Sequence, residues 1–426
     1  MLKRMSHRGS TWKQVVEHEN AILGASGNAG KHTHRPDGDA VHERVSHIHY
    51  AYARITDGGL ELERDPLGVS PLYYGRTNRG ELCFASEMKG LLAITRDVHE
   101  FPPGHVMVGS KTRPTAMKST RPLKPATEVI HRELRRRLEQ SIVERVGDGN
   151  VGAWLSGGID STAIAALARP HVKELHTFVA GLPGSPDVKF SEIAARHIGS
   201  THHILTVSPK SLSESLPQVI YHLESFDALL IRSSILNFRV AEMAADYVPA
   251  VFSGEGADEL FAGYEYLRDI PSEKLDQELN DLVGRLHNTA LQRVDRSSAA
   301  SGLTAYVCFL DQGVVELASQ IPVELKIKYG IEKWVLRQAV ADLLPDSLLY
   351  RKKSKFWQGS GVQDHLARYA DTQVTDADFA REWTLPCGTT LNSKEELLYY
   401  RIFRELFGEF EDLSWMGRTR KTRFDR

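Results

Sequence analysis

Between Glu128 and Val146 apolar residues recur every fourth position, at Ile130, Leu134, Leu138 and Ile142, among charged neighbours. That spacing lays them along one stripe and predicts an amphipathic helix. Short apolar runs follow at VGAWL (from Val151), LHTFVAG (from Leu175) and VPAVF (from Val248), with the helical segments SEIAARHIG and RVAEMAADY between them. Strand and helix in alternation predict an α/β fold, a parallel sheet with helices on both faces. From about Asp269 onward the pattern is mostly helical, and no internal repeat is visible. Residues 1–92 differ: they carry short alternating segments rich in Gly and His, which predict small strands joined by turns. The stretch FPPGHVMVGSKTRPTAMKSTRPLKPAT separates the two parts. We therefore expect a smaller β-rich domain over residues 1–110 and a larger α/β domain over 111–426.

Composition adjusts this picture only slightly. A chain of 426 residues, 41% hydrophobic and 25% charged, can bury more than one core. Lys and Arg number 53 against 55 Asp and Glu, a net charge of -2 that offers no field for nucleic acid or an anionic membrane. The basic end GRTRKTRFDR reads as a solvated tail. Cys83, Cys308 and Cys387 lie too far apart for a disulfide framework, which fits a reducing cytoplasm. No run of about 18 apolar residues and no basic-then-apolar leader is present, so the expectation is cytoplasmic, neither membrane-spanning nor secreted. KHTHRPDGDAVHERVSHIHY gathers His32, His34, His42, His47 and His49 with Asp37 and Asp39. Its irregular spacing favours a solvated loop over a metal site.

Candidate chemistry sits in two glycine-bearing stretches, each directly after an apolar run. In LSGGIDST, Ser156, Gly157 and Gly158 precede a run of small, helix-forming residues. Adjacent glycines let backbone approach a ligand, and the helix that follows turns its unpaired N–H groups toward an anion. Gly158 is followed by Ile159, Asp160 and Ser161 rather than Lys-Ser/Thr, so transfer of a terminal phosphate is disfavoured. Ser156, Gly157, Gly158, Ser161 and Thr162 can instead hold pyrophosphate, with Asp160 on Mg²⁺. A plain glycine turn before an ordinary helix is the alternative. The second stretch, FSGEGADELFAGY, carries Glu255, Asp258 and Glu259 within five positions. Carboxylates beside a phosphate repel it unless a cation compensates, so Mg²⁺ shared by Asp160 and Asp258 is the economical arrangement. Glu255 is then spare and can serve as general base; a satisfied loop residue is its plainer role.

Together these stretches resemble the synthetase half of the class B, glutamine-type asparagine synthetases, whose ATP-pyrophosphatase fold is shared by β-lactam synthetases. The similarity continues through HTFVAGLPG, AARHIGSTHH, LESFDALLIRSS and RKKSKFWQGSGV, over most of residues 125–365. The resemblance implies an AMP-forming carbon–nitrogen ligase that uses ATP and Mg²⁺. Such an enzyme converts a carboxylate to its acyl-adenylate, releases pyrophosphate, and lets an amine attack the acyl carbon. It implies that Ser156, Gly157, Gly158, Asp160, Ser161 and Thr162 bind pyrophosphate and metal, and that Leu155, Val179, Ser253 and Gly254 hold the nucleotide. Asp258 becomes the second metal ligand and Glu255 the base on the amine. Lys353 neutralises charge on the adenylate and Arg232 belongs to the phosphate-side loop.

The N-terminal part is similar to the glutaminase domain of that family, in a shortened form. MSHRGS, RDPLGVSPLYYG and FASEMKGLL carry the likeness. Position 2 is Leu2 where the family has its nucleophilic cysteine, and no YNGEIYN-type loop occurs between Gly9 and Arg64. Glutaminase activity is therefore expected to be absent, with nitrogen coming from free ammonia, a partner that supplies ammonia or an amine, or the substrate itself. Aspartate or an analogue is the expected carboxylate, and a homodimer is a further possibility. Other departures bear on that carboxylate: Thr304, Tyr306 and Cys308 replace the family's Glu, Arg and Pro, and Leu229 and Leu230 stand where two threonines are usual. Amide formation on a different carboxylate, as in β-lactam synthetases, is the runner-up. A non-catalytic nucleotide-binding paralogue is the third reading, and the joint presence of Asp160, Glu255, Asp258 and Lys353 weighs against it.

Overall fold

The computed structural model describes residues 1–18, 21–28, 40–44, 48–57, 59–115, 127–351 and 361–419. The expected amphipathic helix spans Thr127–Val146. Its stripe of Ile130, Leu134, Leu138 and Ile142 is at most 2% exposed and packs on the Ile159–Ala168 helix.

Five parallel strands form the central sheet, in the order Thr201–Thr206, His176–Gly181, Gly152–Trp154, Ala250–Phe252, Thr304–Tyr306. The middle three are the apolar runs read from the sequence. The two edge strands were not foreseen. Thr201–Thr206 is polar and half-exposed, with no buried apolar run to mark it, and Thr304–Tyr306 is only three residues long. Side chains alternate between the faces, as a pleated strand requires. Ala153, Ala250 and Phe252 join one core with the Thr127–Val146 and Ile159–Ala168 helices. Phe178, Ala180 and Val251 join a second core with the helices Pro209–Leu223, Ala228–Ala245 and Lys394–Phe407.

The chain enters this sheet in the middle, moves to one edge, then returns beside its starting strand. Strand order therefore reverses between Gly152–Trp154 and Ala250–Phe252, which pair as Gly152↔Val251 and Ala153↔Phe252. At such a reversal the connections leave in opposite directions and open a crevice at the carboxyl ends of the strands. Both glycine-bearing stretches emerge there, side by side.

The N-terminal part is antiparallel. One sheet runs Lys111–Pro114, His105–Val108, Gly59–Arg64, Tyr50–Thr56, Ala40–Arg44; a second runs Leu82–Ala85, Tyr73–Arg76, His99–Glu100; Trp12–His18 and Ala21–Gly27 form a ribbon. Lys111 pairs with Val108, so N-terminal strand pairing continues past residue 110. A buried ionic seam joins this part to the α/β part. Glu224 accepts from the backbone N–H groups of Met88 (2.9 Å) and Lys89 (2.7 Å). Arg296 lies 3.0 Å from Glu87 and 3.3 Å from Glu224, while Arg8 bridges Glu87 (2.8 Å) and Asp295 (2.8 Å). Among the described residues no helix is long and apolar enough to cross a membrane.

Candidate active site

The first stretch forms a tight cradle. Gly157 has φ 72°, and a Cβ there would stand 2.5 Å from the backbone of Phe190. Only glycine suits both the conformation and the approach. Gly158 caps the Ile159–Ala168 helix with no side-chain acceptor for its first turn. Ser156 and Ser161 face each other across the turn, Oγ to Oγ 3.2 Å. The Thr162 hydroxyl is buried with no partner among the described residues. An unsatisfied buried hydroxyl at the start of a helix suits a multi-oxygen anion.

Strand pairing lays the second stretch against the first. A Cβ on Gly254 would lie 2.9 Å from the backbone nitrogen of Ser161, so backbone itself packs on the cradle helix. Ser253 donates its N–H to the Tyr306 carbonyl (2.9 Å), and Leu155 donates to the Phe178 carbonyl (2.9 Å), fixing both strand ends. Val179 lies buried within the adjacent strand, paired in register with Ile204.

Asp160 and Asp258 converge, and the group between them is Lys333. Its ammonium stands 2.6 Å from each carboxylate, with the side chain 1% exposed. Lys333 has φ 55° at the start of the Trp334–Ala339 helix. Gly263 leaves room for it, since a Cβ there would lie 2.0 Å from Lys333 Cε and 2.1 Å from Asp258 Oδ1. Glu259 is buried behind Asp258 and accepts from the Tyr264 hydroxyl (2.5 Å). Burial, reinforced by the charge of Asp258, pushes its carboxyl up to about 7. Two carboxylates aimed at one cation fit Mg²⁺ held jointly with phosphate oxygens. No three His, Cys, Asp or Glu side chains among the described residues form a metal site of their own.

Glu255 is ion-paired with Arg293 of the Ala290–Ala299 helix. Arg232 is held differently from the expectation that it serves the phosphates. Its Nε donates to both oxygens of Glu395 (2.9 and 3.0 Å), and the Tyr399 hydroxyl donates to that same carboxylate (2.8 Å). Its charge is thus already compensated within the C-terminal helices. Leu230 is a core residue whose carbonyl accepts from the Ser233 and Ser234 hydroxyls, and Tyr306 and Cys308 are likewise buried. Lys353 lies outside the described residues, as do His32, His34, His47, Asp37, Asp39 and the side chain of His42. His49 is buried and within 2.9 Å of the Leu310 carbonyl, a contact between the two parts of the chain.

Sequence reasoning missed Lys333, Arg293 and the role of Arg351. Arg351 donates to the Ser156 carbonyl (2.8 Å), pairs with Asp187 (2.5 Å) and lies 4.1 Å over the Phe190 ring. It ties the chain just before Lys353 to the cradle. In the sequence it is one of several clustered basic residues, and no local spacing singles it out.

A parallel sheet with a glycine cradle and two convergent carboxylates at its switch point defines a nucleotide-binding α/β domain of the ATP-pyrophosphatase type. The asparagine synthase family profile matches residues 133–281 and 271–423, most of the chain, and the chain belongs to that family. A glutamine amidotransferase domain profile matches residues 38–131. Over 378 residues the chain is 34% identical to asparagine synthetase [glutamine-hydrolyzing] 2 of Arabidopsis thaliana, covering 81% of this chain and 64% of that one. It is 35% identical over 375 residues to the Zea mays asparagine synthetase [glutamine-hydrolyzing], covering 81% and 63%. To asparagine synthetase B [glutamine-hydrolyzing] of Escherichia coli (strain K12) it is 33% identical, covering 81% and 67%. The chain thus spans slightly under two thirds of the length of the plant relatives.

Proposed function

We propose that the chain is an ATP-dependent, AMP-forming ligase that adenylates a small carboxylate, aspartate first among candidates, and transfers ammonia or another amine to it. The observation that carries this reading is the convergence of Asp160, Asp258 and Lys333 beside the Ser156–Gly158 cradle. Cradle N–H groups and the Ser156, Ser161 and Thr162 hydroxyls bind the pyrophosphate portion of ATP, while the backbone of Leu155, Val179, Ser253 and Gly254 lines the nucleotide. Asp160 and Asp258 would hold Mg²⁺, which when bound supplies positive charge to the polyphosphate. The substrate carboxylate attacks the α-phosphorus, and the bond to pyrophosphate breaks. Lys333 stabilises the charge that leaves, and Lys353 shares that task in the role the family resemblance gives it. The amine nitrogen then attacks the acyl carbon, the bond to AMP breaks, and Glu255 takes the amine proton.

The nitrogen source in this reading is ammonia or an amine, not glutamine. Of the chain's cysteines, Cys308 is fully buried and burial pushes its thiol up to about 11, while burial also raises Cys83, which donates to the Gly75 carbonyl. Neither is an activated nucleophile. Cys387 sits beside Thr389 in the C-terminal region. A carboxylate other than aspartate is the second reading, favoured by Thr304, half-buried on the edge strand where the family carries Glu.

Pyrophosphate release from Mg-ATP tests this across a panel of carboxylic acids, with ammonium or glutamine supplied. Aspartate with ammonium should yield pyrophosphate, AMP and asparagine, and glutamine alone should yield no amide. Pyrophosphate with a different acid would select the second reading; no pyrophosphate with any acid would reject the ligase.

A further inference from the structure

The Ala290–Ala299 helix touches the candidate site on one side and the ionic seam on the other. Arg293 pairs with Glu255. Two residues on, about 200° round the helix, Asp295 receives both terminal nitrogens of Arg8, at 2.9 and 2.8 Å. The next residue, Arg296, is 1% exposed and joins Glu87 and Glu224. Gln292 donates to the Leu223 carbonyl at 2.7 Å, so three side chains within little more than one turn pin the helix. Glu255 itself follows Gly254 in a loop and sits before Gly256, whose φ of 93° gives the backbone no helical restraint. A long carboxylate on such a loop needs an outside partner to hold one orientation, and Arg293 provides it.

We propose that Arg293 is the positioning residue for Glu255, and that the N-terminal part acts on the amine-transfer step by clamping the helix that carries Arg293 through Arg8. This rests on the ligase reading for its chemistry. A positioning role affects the second half-reaction: adenylation uses the cradle and Lys333, whereas proton removal from the amine uses Glu255.

The test separates the halves in the full-length protein. ATP–pyrophosphate exchange with the accepted acid is measured beside amide formed per pyrophosphate released. Arg293→Met should leave exchange within about threefold of the parent and lower the amide-to-pyrophosphate ratio at least about tenfold, the excess adenylate going to water. Arg293→Lys should recover part of the ratio, and Arg8→Gln should lower it more weakly. An unchanged ratio in Arg293→Met, or exchange and amide falling together, overturns the positioning role; an unchanged ratio in Arg8→Gln overturns the N-terminal link. Should Arg293→Met fail to fold, Arg293→Lys decides by the same ratio. A double-mutant cycle of Glu255→Gln with Arg293→Met, read by urea midpoints, needs no substrate. Non-additive shifts support the pair and additive ones reject it. Absence of parental exchange with every acid would instead reject the ligase reading while leaving the cycle to judge the pair.

Discussion

Lys333 adopts φ 55°, a region that disfavours side chains with a Cβ by roughly 1–2 kcal/mol. Ion pairs to Asp160 and Asp258 at 2.6 Å offset that strain, and they also stop two neighbouring carboxylates from repelling each other. Lys333→Met should therefore destabilise the chain by about 3–5 kcal/mol, less where Mg²⁺ is present, because a bound cation would again neutralise the pair. Urea unfolding with EDTA and with Mg²⁺ checks this, and an equal loss in both would count against a shared cation site. Gly157→Ala meets two obstacles, its positive φ and the Phe190 backbone 2.5 Å from the new methyl. It should lose at least about 2 kcal/mol together with nucleotide binding, measurable by calorimetric titration of ATP. On the proposed ligase reading, Glu255→Gln should lower amide formation about 10²–10⁴-fold while pyrophosphate exchange persists.

At the scale of elements, burial decides what a change does. Leu138 lies in the middle of the Thr127–Val146 stripe at 0% exposure, so Leu138→Ala should cost about 2–5 kcal/mol. Denaturant midpoints would show it, with ATP affinity little changed because the helix stands behind the cradle helix. The Ala228–Ala245 helix is capped by Asp227, whose Oδ1 accepts from the Leu230 N–H at 2.8 Å. Thr419 reaches the same carboxylate through its N–H (2.9 Å) and hydroxyl (2.8 Å), so the cap also anchors the chain after the last helix. Asp227→Ala should thus cost more than the usual 1 kcal/mol or so for a cap. Protease cleavage beyond residue 410 should accelerate; unchanged cleavage would show that the anchor is unimportant.

For the whole molecule the seam between its two parts is the point of pH sensitivity. Burial, with Lys89 and His7 beside it, pushes His222 down to about 3. Burial raises Glu87, but the cations Lys89 and Arg296 outweigh it and hold the carboxyl well below the usual carboxylate range. A depressed histidine contributes stability that is present above its unfolded value near 6.5 and lost as pH falls toward 3. A depressed glutamate contributes stability present above about 4.5 and lost below it. Both act in one direction, against the rise that Glu259 and Asp65, pushed up to about 7 and about 6, contribute as pH falls from those values to their unfolded ones. The seam's own share of the slope in urea midpoints should begin just below pH 6.5 and steepen below 4.5. His222→Phe, which keeps the ring against Phe238, should flatten the upper part of that slope. The sequence by itself determined the helix at 127–146, the middle three strands, the cradle and the acidic loop, because each is written in local periodicity or in residues a few positions apart. Tertiary structure alone decided that Lys333 completes the pair of Asp160 and Asp258, 173 residues from the first of them. It alone brought Arg293 to Glu255, turned Arg232 toward Glu395 and buried Leu230, Tyr306 and Cys308 in cores. Charge has no period along a chain. Which carboxylate a buried arginine or lysine meets depends on how strands and helices pack, and an isolated basic residue looks the same in sequence whether it lies in solvent or at the centre of a site.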